Sequence, residues 1–194
     1  MLDWLAFVSY VLVATFTPGP NNIMAVTNAV RVGLRKAMRF NLGVLAGFAV
    51  VMVLCSYLSL ALSSLLPRFR LVMSVVGAGY LLYLAARLVW STEGAHSHRA
   101  EPLTSFWAGL GLQFLNPKLI MYGITVFGSF VLPANQSQGF LVLVAVLLAL
   151  LGFTSTTCWS LFGTVFQRLL ARYHRPFNVA MALLLIYCAV SVLH

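Results

Sequence analysis

Two short motifs carry most of the side chains that could do chemistry, and each places proline inside an apolar stretch. They are Thr17-Pro18-Gly19-Pro20-Asn21-Asn22 and Asn116-Pro117-Lys118. Proline has no backbone N–H and its ring clashes with the preceding helical turn, so each motif interrupts a helix. A helix that restarts there presents unpaired N–H groups and a positive dipole end, which suit a carboxylate. The two motifs therefore predict a binding site for a small molecule with an anionic group.

The first motif also frees backbone carbonyls. Pro18 and Pro20 cannot donate to the carbonyls of Ala14 and Phe16. In hydrocarbon a freed carbonyl must find a partner in protein or in a wet cavity. A simple proline kink is the alternative interpretation, but two prolines around a glycine, followed by two asparagines, favour a site.

The restarted helices supply further polar groups. After the first motif, the N–H groups of Asn21, Asn22 and Ile23 open the second helical half, and the amide oxygens of the asparagines can hold an ammonium. In the second motif, Asn116 is a good N-cap and Pro117 fits the first helical position. The sequence thus predicts that both ends of a zwitterion find partners here.

Lys118 is the charged residue that lies deepest in an apolar stretch. A lysine at the centre of a membrane helix costs at least about 2.5–3.5 kcal/mol, so a functional role is the default interpretation. Because only Asp3 lies near a span, Lys118 should pair with carbonyls or with an acidic substrate group. The alternative is that it snorkels to the interface. Tyr122, Thr125 and Ser129 follow it at helical spacing, and we include Tyr122 in the predicted site.

Composition decides the class of protein. Hydrophobic residues make up 61% of the 194 residues and charged residues only 8%, whereas soluble domains carry about 25% charged residues. This excludes a soluble globular protein and a disordered chain. The net charge of +9 does not indicate nucleic acid, because no basic run with interleaved aromatic residues is present. The chain is predicted to be an all-α polytopic membrane protein in contact with lipid.

Six stretches are long and apolar enough to span a bilayer. They are 4–28, 40–63, 71–90, 105–132, 139–165 and 177–193. The polar joint 91–104 divides this single transmembrane domain into halves 1–90 and 105–194. Three spans in each half predict two repeats of inverted topology, with helices 1 and 4 broken. Matching interruptions in two halves are the best sequence pointer to a transporter's central site.

Basic residues predict the orientation. One side of the membrane carries nine of them and the other only Arg68 and Arg70. The nine are Arg31, Arg35, Lys36, Arg39, Arg87, Arg99, Arg168, Arg172 and Arg175. By the positive-inside rule this side is cytoplasmic, so both termini lie outside the cytoplasm.

Other polar and small residues are interpreted as packing. Gly43 and Gly47 predict close approach of another helix. The hydroxyls of the fifth span favour interhelical hydrogen bonds over a polar path; they are Thr154, Ser155, Thr156, Thr157 and Ser160. The three cysteines lie in apolar stretches and are interpreted as small buried residues; they are Cys55, Cys158 and Cys188.

Enzyme chemistry and metal chemistry find little support. A thiol relay through Cys55 and Cys158 lacks a CxxC pair, and His96 and His98 in a joint are weak evidence for a metal. No buried Ser–His–acid set is present. A cation channel or metal-ion exporter would need intramembrane carboxylates. We therefore predict no enzyme, no cofactor and no resident metal.

The scarcity of acids also indicates the cargo. A second cationic group on a substrate would find no counter-charge, so neutral amino acids are favoured over lysine or arginine. Exchange of one proton for one zwitterion would gain about 2.3 kcal/mol per 100 mV. The carrier of such a proton is a histidine, a lysine or the substrate itself. Six spans are few for a transporter, so a homodimer is one of the states that the sequence allows.

The chain resembles the LysE-type family of amino-acid exporters, which includes lysine and homoserine/threonine exporters. The resemblance covers essentially the whole chain and rests on Thr17–Asn22, Gly33–Ala37, Gly79–Leu84 with Arg87, and Phe114–Lys118. Other segments are similar to a branch of that family that exports cysteine and O-acetylserine. They are Leu112–Phe114, Tyr122–Gly123, Phe130–Pro133, Phe166–Leu169 and Tyr187–Val190.

This resemblance implies a bacterial inner-membrane exporter of small neutral amino acids, with homoserine, threonine or lysine as alternative cargoes. One residue departs from the family pattern. Many members carry an acid immediately after Pro-Gly-Pro, where this chain has Asn21. A proton- or amine-binding role of that acid therefore does not transfer to this chain.

Overall fold

The computed structural model describes residues 4–61, 75, 78–79, 82–86, 89, 104–166 and 173–193. These residues form helices and short connections and contain no strand, which confirms the all-α prediction. The predicted third span, 71–90, is described only in part. The joints that carry Arg68 and Arg70, and His96 and His98, lie outside the described residues.

The first predicted span is two helices, α1 (Trp4–Phe16) and α2 (Pro20–Val32). The break falls on the predicted motif, and Gly19 is the N-cap of α2. Helix α2 continues four residues past the predicted end at residue 28. It stops at Gly33, whose φ of 79° lies in the left-handed region that glycine tolerates.

Helix α3 (Leu34–Ala61) begins six residues before the predicted start at residue 40. The expected first joint is therefore wrong, since Arg35, Lys36 and Arg39 occupy the first turns of α3 and only Gly33 separates it from α2. A helix can continue beyond the hydrocarbon core of the bilayer, where charged side chains are solvated and do not terminate it. All three of these side chains are exposed.

The fourth predicted span is also broken at its motif. Helix α4 (Phe106–Phe114) and helix α5 (Pro117–Thr125) meet at an angle of 58°, and α5 continues as a π-helical segment, Val126–Val131. The wider π turn changes the residue spacing, and Ser129 is exposed. The expected common face of Lys118 and Ser129 is therefore wrong.

The last two predicted spans correspond to α6 (Gln138–Val165) and α7 (His174–Leu193). The start of α6 lies one residue from the predicted position. Helix α7 starts at His174, three residues before the predicted start at residue 177, and Pro176 is its third residue. The first helical turn tolerates this proline because its N–H groups have no intrahelical partner.

Two described helices are long and apolar enough to cross a membrane, namely Leu34–Ser59 within α3 and Gln138–Val165. The bent pair Phe106–Phe114 and Pro117–Val131 is a third candidate, and shorter apolar helices occupy Phe7–Phe16 and Arg175–Tyr187. The described residues thus support a membrane protein.

Helices α3 and α4 pack backbone against backbone. A Cβ atom at Gly43 would clash with the carbonyl of Phe106, and one at Gly109 would clash with the carbonyl of Phe40. Glycine at both positions allows this approach, as the spacing of Gly43 and Gly47 predicts. The contact holds the helix before the second break against α3.

Substitution Gly43→Ala should lower the unfolding midpoint of the protein in detergent. The added methyl meets a carbonyl of α4, and overpacking of this kind costs typically 1–3 kcal/mol. Gly139→Ala on α6 is the control, because a Cβ there meets nothing within 4 Å. Equal midpoints for the two variants would show that the α3–α4 contact does not limit stability.

Candidate functional site

The two helix breaks face one open cleft. Its empty volume is about 410 Å³, which includes solvent at the opening. Most of the predicted site residues line it, namely Gly19, Pro20, Asn21, Asn22, Asn116, Lys118 and Tyr122. Thr17 and Pro18 contribute backbone carbonyls beside the cleft. Pro117 is the buried first residue of α5 and does not line the cleft.

The ammonium of Lys118 connects the two breaks. Its Nζ donates to the carbonyl of Thr17 at 3.2 Å and to the carbonyl of Pro18 at 3.5 Å. These are carbonyls that the first break removes from helical hydrogen bonding. The side chain therefore reaches across to the segment between α1 and α2, and this contact favours a role in the site over snorkelling to the interface.

Gly19 makes room for this lysine. Its backbone is extended, with φ of −165°, a conformation that any residue adopts. A Cβ atom at this position would lie 3.0 Å from Lys118 Nζ and 3.1 Å from its Cδ. The reason for glycine here is thus the approach of a cation and not backbone strain.

Asn22 closes the first break from the other side. Its Nδ2 donates to the carbonyl of Thr15 at 3.0 Å and to that of Thr17 at 3.1 Å. Ser155 Oγ lies 3.0 Å from the Thr15 carbonyl oxygen and 3.2 Å from Asn22 Oδ1, and its single hydrogen can be donated to either acceptor. The indole of Trp159 donates to the carbonyl of Phe16 at 3.4 Å. Side chains from α2, α5 and α6 therefore replace the missing helical bonds.

Asn21 belongs to a cluster of three amides that joins the breaks. Asn21 Nδ2 donates to Gln113 Oε1 at 2.8 Å, and Gln113 Nε2 donates to Asn21 Oδ1 at 3.1 Å. Asn116 Nδ2 donates to the same Asn21 oxygen at 3.3 Å. Two accepted bonds occupy the lone pairs of that oxygen, so an ammonium bound at Asn21 has to displace Gln113 or Asn116. Asn22 Oδ1 keeps one lone pair.

The N-terminus of α2 offers two N–H groups and not the three expected. The N–H of Ile23 donates to the carbonyl of Gly19 at 2.9 Å, which is the first bond of the helix. Those of Asn21 and Asn22 precede it and have no intrahelical acceptor. At α5, Asn116 caps the helix as predicted, and its Oδ1 accepts from the N–H of Leu119 at 3.4 Å.

The remaining walls of the cleft are mostly apolar or aromatic and were not predicted as site residues from the sequence. They include Ala14, Phe48, Leu119 and Gly152, with Thr15 and Thr156 as the hydroxyl-bearing members. Tyr122 is buried between α1 and α3. Its ring stacks on Tyr10 at 6.0 Å and meets Phe48 edge-on at 6.1 Å between centroids.

Of the hydroxyls of α6, Ser155 and Ser160 form interhelical hydrogen bonds, as interpreted. Ser160 Oγ donates to the carbonyl of Ala25 at 3.3 Å and accepts from Asn41 Nδ2 at 2.9 Å. Thr156 differs, because it lines the cleft. Thr154 is exposed and bonds within its own helix to the carbonyl of Leu150.

The interpretation of the cysteines as buried residues is confirmed for Cys55 and wrong for Cys158, and the side chain of Cys188 lies outside the described part of the structure. Cys55 is a buried free thiol, and Gly123 leaves space for it, since a Cβ there would lie 2.8 Å from Cys55 Sγ. Cys158 is a free thiol on the exposed face of α6. An apolar membrane helix has two apolar faces, so the sequence could not tell the lipid side from the protein side.

The charge of the cleft is positive. Lys118 is its charged lining residue, and residues 4–61 and 104–166 contain no Asp or Glu. The acids of the chain are Asp3, Glu93 and Glu101, which lie outside the described residues. A cleft with an ammonium, helix N-termini and amides suits a carboxylate-bearing solute.

A family model described as "LysE type translocator" matches residues 12–194. This chain belongs to that family. Among the relatives of this LysE-family chain, the cysteine/O-acetylserine efflux protein of Klebsiella pneumoniae is 43% identical over 187 residues, covering 96% of this chain and 95% of the relative. The protein of the same name from Escherichia coli K12 is 42% identical over 189 residues, covering 97% and 96%. No solved structure matches the chain.

Substitution Asn22→Asp should destabilise this LysE-family protein. The carboxylate cannot donate to the carbonyls of Thr15 and Thr17, and an unpaired buried group costs about 1–3 kcal/mol. The unfolding midpoint in detergent measures the effect. Asn135→Asp is the matched control, because Asn135 uses only its Oδ1, which accepts from the N–H of Ser137 at 2.8 Å. An Asn22→Asp midpoint equal to that of the wild type would mean that Asn22 does not brace the break.

Proposed function

We propose that this chain is a secondary transporter that exports small neutral amino acids, such as cysteine or O-acetylserine, across a bacterial inner membrane. The observation that carries the proposal is the meeting of two helix breaks at one cleft, with Lys118 bonded across them. The names of the relatives support the cargo, since they are efflux proteins for cysteine and O-acetylserine.

The binding mode follows from the polar groups of the cleft. The substrate carboxylate binds Lys118 Nζ and the N–H groups of Asn21 and Asn22, at the positive end of α2. The substrate ammonium binds the carbonyls of Thr17 and Pro18, which Lys118 contacts in the empty cleft. Asn22 Oδ1 is a further acceptor. An entering amino acid thus gives Lys118 a carboxylate in exchange for the two carbonyls.

Cargo charge distinguishes the candidate substrates. A basic amino acid brings a second cation, and residues 4–61 and 104–166 hold no carboxylate to receive it beside Lys118. Lysine is therefore a poor candidate, although family members elsewhere export it. Homoserine and threonine carry the same neutral zwitterionic head group and stay as alternative cargoes.

The transport cycle that we propose is alternating access between two inverted three-helix repeats, 1–90 and 105–194, joined by 91–104. The broken helices belong to the first position of each repeat, which supports this division. Both termini lie in the periplasm. Coupling to protons uses a histidine, a lysine such as Lys118 or the substrate itself, since no carboxylate relay lies within the predicted spans. A homodimer is a further expectation, and no enzymatic step is proposed.

Expression of the chain should raise the extracellular concentrations of cysteine and O-acetylserine in whole cells, and Lys118→Ala should abolish this export. The substitution removes the cation that holds the carboxylate, while insertion into the membrane continues. Export is measured at matched amounts of membrane-inserted protein.

Lys36→Ala is the control for the loss of a lysine, because Lys36 is exposed on the first turn of α3. It should export normally. Export by Lys118→Ala at the wild-type rate would remove Lys118 from the site. Unchanged extracellular amino acids under good expression of the wild type would reject the function. A flux that neither saturates nor responds to a pH gradient would indicate a channel.

A further inference from the structure

The cleft is layered along α3. Gly47 lies in the amide layer, since a Cβ there would be 2.7 Å from Gln113 Cγ. Phe48 follows and meets Tyr122, and Met52 lies one turn beyond, with its Cε 2.7 Å from a Cβ placed at Gly123. An aromatic layer therefore lies next to the layer of amides.

Helix α5 gives the separation of the two layers. Lys118 and Tyr122 both line the cleft and are four residues apart, which is about 6 Å along a helix axis. A substrate whose carboxylate is held at Lys118 therefore directs its side chain toward the rings of Tyr122 and Phe48. The aromatic layer is in a position to limit the length of that side chain.

Gly152 of α6 and Phe48 are neighbouring walls of the cleft. A Cβ at residue 152 would lie 2.7 Å from Cε2 and 2.9 Å from Cδ2 of that ring, both too close for an unmoved neighbour. Phe48 is only 5% exposed and is in edge-on contact with Tyr122. Because both residues line the cleft, a methyl group at residue 152 takes up space there, either directly or by displacing the ring.

We propose that the contact between Phe48 and Gly152 determines the largest substrate side chain that the cleft accepts. This inference rests on the proposed export function and deepens it. With glycine at 152, the ring lies back against α6 and leaves room for a short side chain. A methyl group at 152 takes up part of that room and displaces the ring, so the longest accepted side chain becomes shorter.

The same geometry explains why the contact can be altered without loss of the fold. At Gly43 and Gly109 an added Cβ meets the backbone of another helix, which has to move as a whole. At Gly152 it meets a side chain that can rotate. The effect of Gly152→Ala should therefore be on selectivity more than on stability.

The test is a competition series in proteoliposomes that contain the full chain. Uptake of labelled cysteine is challenged with alanine, serine, O-acetylserine, methionine and phenylalanine. We expect Gly152→Ala to weaken competition by O-acetylserine relative to serine by about tenfold, near the low end of the range for one methylene in an apolar pocket. We expect Phe48→Leu to strengthen competition by methionine and phenylalanine.

The double variant Gly152→Ala with Phe48→Leu should restore the competition by O-acetylserine. The leucine at position 48 is smaller than phenylalanine and compensates for the volume of the methyl group added at position 152. Gly139→Ala and Phe162→Leu are the controls; residue 139 has no close neighbour and Phe162 is exposed. If Gly152→Ala does not insert, Phe48→Leu carries the test.

The outcomes separate the inference from the function on which it rests. Wild-type protein that takes up no cysteine overturns both. Wild-type uptake, with competition ratios in Gly152→Ala and Phe48→Leu equal to those of their controls, overturns only the role of this contact. Size-dependent shifts that the double variant reverses support the contact as the determinant.

Discussion

The structure depends on one constraint, that carbonyls freed in the interior of a membrane protein must be given new donors. Prolines 18 and 20 create the need in the first broken helix. Asn22, Ser155 and Lys118 meet it, each from a different helix. The groups that repair the break are also groups that a zwitterion can replace. The proposed binding site is thus a consequence of how the break is stabilised.

The positions of both breaks could be predicted because proline acts locally, through its missing N–H and its ring. The bounds of α6 followed from an apolar run that ends at polar residues on both sides. The start of α3 could not be predicted this way. The two helices are separated only by the positive φ angle of Gly33, and hydrophobic periodicity does not reveal such an angle. The π segment after Thr125 changes the spacing without any sequence signal that periodicity detects.

The missed parts of the candidate site have a common physical cause. In a membrane helix the lipid-facing and protein-facing sides are both apolar, so Phe48 and Gly152 give no pattern that marks them as cleft residues. Gln113 offered a weak signal, as an amide in an apolar helix requires a polar partner. The partner, Asn21, is 92 positions away in the chain, and only the tertiary structure identifies it.

The glycine contact between α3 and α4 has a consequence for how the molecule moves. Carbonyl oxygens of each helix lie against a glycine of the other, so a shift that brought a larger residue to either position would press a side chain against backbone. The helices belong to different proposed halves of the chain. In the proposed alternating-access cycle, this contact between the two halves makes Gly43 and Gly109 the expected fulcrum of a rocking motion, and the widest excursions fall on the helices farthest from that point.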